Sequence, residues 1–161
     1  VGLYDEDFFA YYEDVDLGLR GQLRGWSSKF VPKAKVFHAT GSTSSRVPGF
    51  TTYQTLKNLP WIIIKNVPLR HIFSISIRFK LAYFGFVLSA IRRGQIGVTL
   101  KGVLVSAVYV PKKLWQRYTV QSSKKISSDK FFGLLVHDLP PNATKLRALR
   151  LKYWKIVGKN S

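Results

Sequence analysis

The residues of this chain best suited to chemistry lie between Tyr4 and Arg20. Six of its eight acidic residues fall there: Asp5, Glu6, Asp7, Glu13, Asp14 and Asp16. They are interleaved with Phe8, Phe9, Tyr11 and Tyr12 in a chain whose net charge is +18. A carboxylate wedged between aromatic rings is partly desolvated, and desolvation raises its proton affinity into the range of a useful base. The structural alternative is an acidic helix start, where negative charge favours the macrodipole.

A helix must position these acids. Residues 14–24 have apolar positions at Val15, Leu17, Leu19 and Leu23, and Gly25 stands where a left-handed C-terminal cap is needed. Asp16 and Arg20 are four apart in the favourable acid-first order. Asp14 and Asp16 differ by roughly 200° around a helix of 3.6 residues per turn, so they cannot face one site. With Asp16 paired to Arg20, Asp14 is the freer carboxylate. The segment from Phe30 to His38 reads as a strand, with Pro32 suited to an edge or a strand start. His38 would close it, just before the loop at Ala39-Thr40-Gly41-Ser42. Ends of elements beside loops often hold site residues, although a lone histidine there is commonly structural.

These residues resemble family 2 glycosyltransferases, nearest to their rhamnosyltransferase-like branch. The resemblance rests on Gly2-Leu3-Tyr4-Asp5-Glu6-Asp7-Phe8-Phe9, Tyr12-Glu13-Asp14-Val15-Asp16-Leu17, Arg20, Gly25-Trp26, Pro32 to His38 and Gly41-Ser42. It is specific over residues 2–42, looser over 53–136 and absent after that. It implies the C-terminal portion of a GT-A catalytic domain, a nucleotide-sugar donor, a divalent metal (Mg or Mn) and inversion at the anomeric carbon. The family's Glu-Asp pair falls on Glu13 and Asp14, its base on Asp14 and its metal-binding histidine on His38. Asp5, Glu6 and Asp7 would reach acceptor hydroxyls, or else form an acidic loop that fixes the helix start. The residue types suit the reaction. A sugar hydroxyl needs a base as it attacks C1, and a metal ion stabilises the leaving nucleoside diphosphate. The family's nucleotide half, with its Asp-x-Asp motif, would lie upstream of residue 2. Asp5-Glu6-Asp7 and Asp14-Val15-Asp16 have the letters but fall elsewhere in the family's pattern. The chain starts at Val1 and contains no Met. It therefore reads as a fragment, expected to be inactive in isolation.

Charge divides the chain near Gly49. Residues 1–50 balance six Lys/Arg against six acids, whereas residues 51–161 carry twenty Lys/Arg against Asp129 and Asp138 alone. There is no cysteine, hence no disulfide and no thiolate metal site. The expected architecture is an α/β catalytic remnant over 1–50, followed by a basic, amphipathic, mainly helical region over 51–161. In that region Leu69 to Arg93 reads as a helix with a narrow polar or small stripe through His71, Ser74, Arg78, Ala82, Gly85, Ser89 and Arg92. Ile96 to Val110 is apolar up to Pro111. Ser127 or Ser128 can cap a short helix holding Phe131 and Phe132. The tail over 145–159 is basic and apolar together. Relatives often have Arg-Asn opening a helix where this chain has Lys57-Asn58, and lysine cannot make arginine's bidentate contact.

Three readings compete for the second region: a platform on an anionic membrane surface, a nucleic-acid binder, and a helical subdomain packed on other protein. Abundant Phe, Ile and Leu weigh against nucleic acid, and none is expected as a partner. The resemblance favours the membrane. It implies sugar transfer to a cell-surface polysaccharide or lipid-linked glycan by an enzyme peripheral to the cytoplasmic face of the cell membrane. The competing assignment is a non-catalytic membrane-binding or nucleic-acid-binding module.

Overall fold

The computed structural model describes residues 1–37, 46–136 and 148. A 3-10 turn at Glu6–Phe8 precedes six α-helices: α1 (Glu13–Leu23), α2 (Phe50–Asn66), α3 (Leu69–Arg92), α4 (Ile96–Val108), α5 (Val110–Ser122) and α6 (Ser128–Leu134). Helix α2 is the hub, packed against α1, α3, α4 and α5.

Local chemistry explains the boundaries. Gly25 takes φ +83° just past α1, and Gly94 takes φ +74° in the turn between α3 and α4, conformations open mainly to glycine. Gly49 caps the start of α2 at φ +75°, at the point where the chain's charge changes. Ser127 Oγ accepts from Lys130 N at 3.1 Å and opens α6.

Pro60 lies inside α2 and cannot donate to the carbonyl four residues earlier, that of Leu56. Tyr83 of α3 takes that place, its hydroxyl donating to Leu56 O at 2.8 Å. The last carbonyls of α2 are also orphans by geometry. Arg117 Nη1 donates to Ile64 O and Val67 O at 2.7 Å each. Gln121 Nε2 donates to Asn66 O at 2.9 Å. Helix α5 thus caps α2 with a cation where the macrodipole favours one.

The core is small. Trp61, fully buried, meets Phe8 edge-on at 5.6 Å and stacks on Tyr109 at 5.2 Å. Ile62, Tyr12 and Leu19 complete the cluster. Trp61 Nε1 donates to Ser106 O at 3.1 Å, so the buried indole is satisfied.

The architecture corrects the α/β expectation, because the described residues form an all-helical fold with no strand. Over Phe30–Phe37 the chain makes a turn and irregular backbone instead of the expected strand. A strand is stable only when a neighbour completes its hydrogen-bond ladder, and no other described segment is extended beside this one. Its side chains find no core either, Phe37 being 98 % exposed.

The expected helices at 14–24 and 69–93 form within a residue or two of those limits. The apolar run that begins at Ile96 bends into two helices where Pro111 enters the first turn of α5. His38 and the tail over 145–159, apart from residue 148, lie outside the described residues.

Candidate active site

Three consecutive features present the acidic segment. The turn at Glu6–Phe8 is capped by Asp5, whose Oδ1 accepts from Asp7 N at 3.2 Å. The chain then takes positive φ at Phe9 (60°), Tyr11 (66°) and Tyr12 (71°). Such values in bulky residues are costly and persist only where the surroundings over-determine them. Helix α1 starts immediately afterwards with Glu13 and Asp14.

The surroundings here are Lys57 and Asn58. Lys57 Nζ donates to Asp7 O at 2.9 Å. Asn58 Nδ2 lies 3.0, 2.9 and 2.8 Å from the carbonyls of Phe8, Ala10 and Tyr11. Burial pushes the Lys57 ammonium below its ordinary value, while the charge of Asp7 opposes that. The Lys57-Asn58 pair therefore grips the backbone of the strained loop. Its distance from that loop, about fifty residues, carries no local sequence signal.

The six acids divide by environment. Asp16 is fully buried. Its Oδ2 accepts from Arg20 Nε at 2.8 Å and Lys65 Nζ at 3.0 Å, and its Oδ1 from Asn66 Nδ2 at 2.9 Å. The expected Asp16–Arg20 pair forms, but as part of a buried network. Arg20 also donates to Leu3 O at 2.8 Å and to Val1 O, fastening the first residues to α1.

Asp5 and Asp7, assigned to acceptor hydroxyls by resemblance, hold lysines. Asp5 Oδ2 accepts from Lys65 at 2.7 Å and Lys113 at 2.9 Å. Asp7 accepts from Lys113 at 2.7 Å and Lys112 at 2.8 Å. Lys113 is completely buried, its ammonium 4.7 Å from the Trp61 ring centre and 5.3 Å from that of Phe8. Burial alone would raise the Asp5 carboxyl. Hydrogen bonds and charge from Lys65 and Lys113 outweigh it and hold the group at about 2, against an ordinary 3.8. Asp7 is shifted the same way, its burial outweighed by Lys112 and Lys113. Any acceptor hydroxyl at these carboxylates would compete with the lysines.

Glu6 is exposed on the 3-10 turn. Glu13 is half-buried, and its Oε2 is buried without a hydrogen-bond partner. Asp14 is exposed in the first turn of α1. Its Oδ1 accepts from the adjacent Val15 N at 2.8 Å, and it lines an open cleft of about 270 Å³ with Tyr4, Gly18, Gln22 and Trp26. The expectation that Asp14 would be freer than Asp16 matches this placement. No three His, Asp or Glu side chains among the described residues converge to hold a metal ion. His38, the implied ligand, lies outside them.

The chain is 48% identical over 48 residues to the N-acetylglucosaminyl-diphospho-decaprenol L-rhamnosyltransferase of Mycobacterium tuberculosis, in strains CDC 1551 / Oshkosh and ATCC 25618 / H37Rv. The match covers 30% of this chain and spans 16% of the length of those relatives. No family model matches, and no solved structure does. Over that short stretch the chain is related to a glycosyltransferase, which points to glycosyl transfer in general.

Proposed function

We propose that this chain supplies the acceptor and base side of an inverting family 2 glycosyltransferase, with Asp14 as the general base. The observation that carries the reading is the placement of Asp14. Of the six clustered acids, only Asp14 combines exposure, a place in the first turn of α1 and a place in the lining of a cleft. Exposed Glu6 and half-buried Glu13 lie outside that cleft's lining, as do the lysine-bound Asp5 and Asp7.

The acceptor hydroxyl would enter the cleft beside Asp14. Its oxygen forms the new bond to C1 of the donor sugar as the bond from C1 to the nucleoside diphosphate breaks. The hydroxyl proton passes to the Asp14 carboxylate, and the electron pair leaves with the diphosphate. Glu13, adjacent in the chain, adds negative charge beside the base. Of the lysines on the acidic segment, Lys112 is exposed at the edge of the network.

The relatives' name specifies rhamnosyl transfer to a diphospho-decaprenol-linked N-acetylglucosamine. By relationship we take a nucleotide sugar as donor and a lipid-linked glycan as acceptor, with the reaction at the cytoplasmic face of the cell membrane. By relationship a divalent ion, Mg or Mn, would accompany the donor, and among the described residues no three His, Asp or Glu side chains gather to hold it.

The test is sugar transfer measured on the gene product expressed with whatever its reading frame encodes upstream of Val1. Asp14→Asn is expected to lower turnover by about 10²–10⁴-fold while leaving the melting temperature and donor binding near wild type. Near-normal turnover of Asp14→Asn would sink the assignment.

A further inference from the structure

We infer that the hairpin of α3 and α4 is a docking surface for an anionic lipid leaflet, entering the interface from one side without crossing the bilayer. This inference is independent of the glycosyl-transfer reading.

Helix α4 carries the argument because it is built inside out. Its residues buried toward the protein are small or polar: Thr99, Gly102 and Ser106. A Cβ at Gly102 would lie 3.1 Å from Tyr53 O and 3.2 Å from Leu56 Cβ, so the backbones of α4 and α2 approach closely. The opposite side presents Ile96, Leu100, Leu104 and Val108, a four-residue repeat along one face, with Leu104 63 % exposed. A helix folded against a core in water shows the reverse order. Small residues against protein and large aliphatics outward is the arrangement of a helix facing lipid.

Helix α3 also turns large apolar side chains outward. None of its most apolar 18-residue stretch is buried. Phe73, Ile77, Leu81 and Phe84 are all exposed, Phe73 at 77 %. Between the two helices runs an apolar groove of about 480 Å³, lined by Tyr83, Phe84, Val87 and Ile91 on one side and Leu100 and Val103 on the other, with Lys80 among its lining residues. Contiguous apolar surface of this kind marks an interaction site.

Charge selects the occupant. Residues 69–108 contain Arg70, Arg78, Lys80, Arg92, Arg93 and Lys101 and no acid. Apolar side chains flanked by cations fit a leaflet whose headgroups are anionic and whose interior is hydrocarbon. A second copy of the chain would bring +18 against +18. Nucleic acid offers no hydrocarbon to the exposed Leu and Phe.

Geometry selects docking over spanning. Thirteen residues of α4 extend about 20 Å at 1.5 Å each, short of a hydrocarbon core of about 30 Å. Helix α3 is long enough, but Arg78 and Lys80 sit near its middle, where charge is strongly disfavoured. The Tyr83–Leu56 hydrogen bond also pins its midpoint to α2.

The experiment uses the 161-residue chain with vesicles of phosphatidylcholine alone or mixed with phosphatidylglycerol. Co-sedimentation should favour the anionic vesicles by tenfold or more and weaken, without vanishing, as salt rises toward about 1 M. Leu100→Gln with Leu104→Gln should lower partitioning at least tenfold, whereas Phe30→Gln with Phe37→Gln, exposed elsewhere, should not. Because the chain has no cysteine, Leu104→Cys and Lys33→Cys can each carry a polarity-sensitive dye. The label at 104 should shift to the blue on vesicles and the label at 33 should not, a readout that does not depend on the double variant folding. Unchanged partitioning of a folded double variant, complete release by salt, or an unshifted label at 104 would overturn the inference. So would a lipid-free dimer broken by Leu104→Gln, or resistance to alkaline extraction, which marks a spanning helix.

Discussion

Asn58 Nδ2 donates to the carbonyl of Tyr11 at 2.8 Å, joining the middle of α2 to a residue held at φ 66°. The same amide reaches the carbonyls of Phe8 and Ala10, so one side chain stabilises the loop that delivers Glu13 and Asp14. Each non-glycine residue at positive φ costs on the order of 1–3 kcal/mol, and Asn58 offsets part of that. Asn58→Leu should lower stability by about 1–3 kcal/mol through buried carbonyls left without a donor. Thermal unfolding measures this. Transfer activity should fall further than the melting shift explains, because α1 then starts from a relaxed loop; activity that simply tracks the folded fraction would count against a positioning role for Asn58.

The lysine cradle makes a graded prediction. Lys113→Met removes a buried cation shared by Asp5 and Asp7, and breaking such a pair typically costs about 3–5 kcal/mol. Lys112, 53 % exposed, also pairs with Asp7, but Lys112→Ala should cost no more than about 1 kcal/mol. Denaturant titration of both variants checks the order. Equal effects would mean that Lys113 is not the keystone its burial suggests.

Acid should loosen the same cradle. The folded Asp5 carboxyl titrates near 2, below its ordinary 3.8, and Asp7 is shifted in the same direction. A carboxyl depressed on folding stabilises the native state fully above its unfolded value and loses that contribution as pH falls through the folded one. Stability should therefore decline as pH drops from 3.8 toward 2, each kcal/mol lost being worth about 2–4 °C in a chain of this size. Asp5→Asn should start lower and show a shallower decline over that window; a slope identical to wild type would remove Asp5 as the cause.

Two glycines should respond in opposite senses. A Cβ at Gly85, inside α3, meets nothing within 4 Å, so Gly85→Ala should stabilise by about 0.5–1 kcal/mol through helix propensity. At Gly102 the new methyl meets the backbone of Tyr53, and Gly102→Ala should destabilise as an overpacked contact does, by roughly 1–3 kcal/mol. Paired melting curves decide it, and a stabilising Gly102→Ala would show that α4 can move away from α2.

The amino-acid sequence by itself determined what neighbours along the chain decide. Helix α1 with its Gly25 cap, the Asp16–Arg20 contact, the Ser127 cap and the break before α5 all depend on residues within about four positions of one another. At that range periodicity, capping and i,i+4 pairing act. The relationship to a glycosyltransferase was also legible there, because the acidic motif is contiguous. Tertiary structure alone decided that Phe30–Phe37 is not a strand, since a strand depends on a neighbour no local pattern reveals. It decided that Asp5 and Asp7 face Lys113, more than a hundred residues away, and that Lys57 and Asn58 grip the loop before α1. It also decided which side of α4 faces out. An alternation of small and large residues names two helix faces, but only the close approach of Gly102 to Tyr53 and Leu56 says which one meets protein.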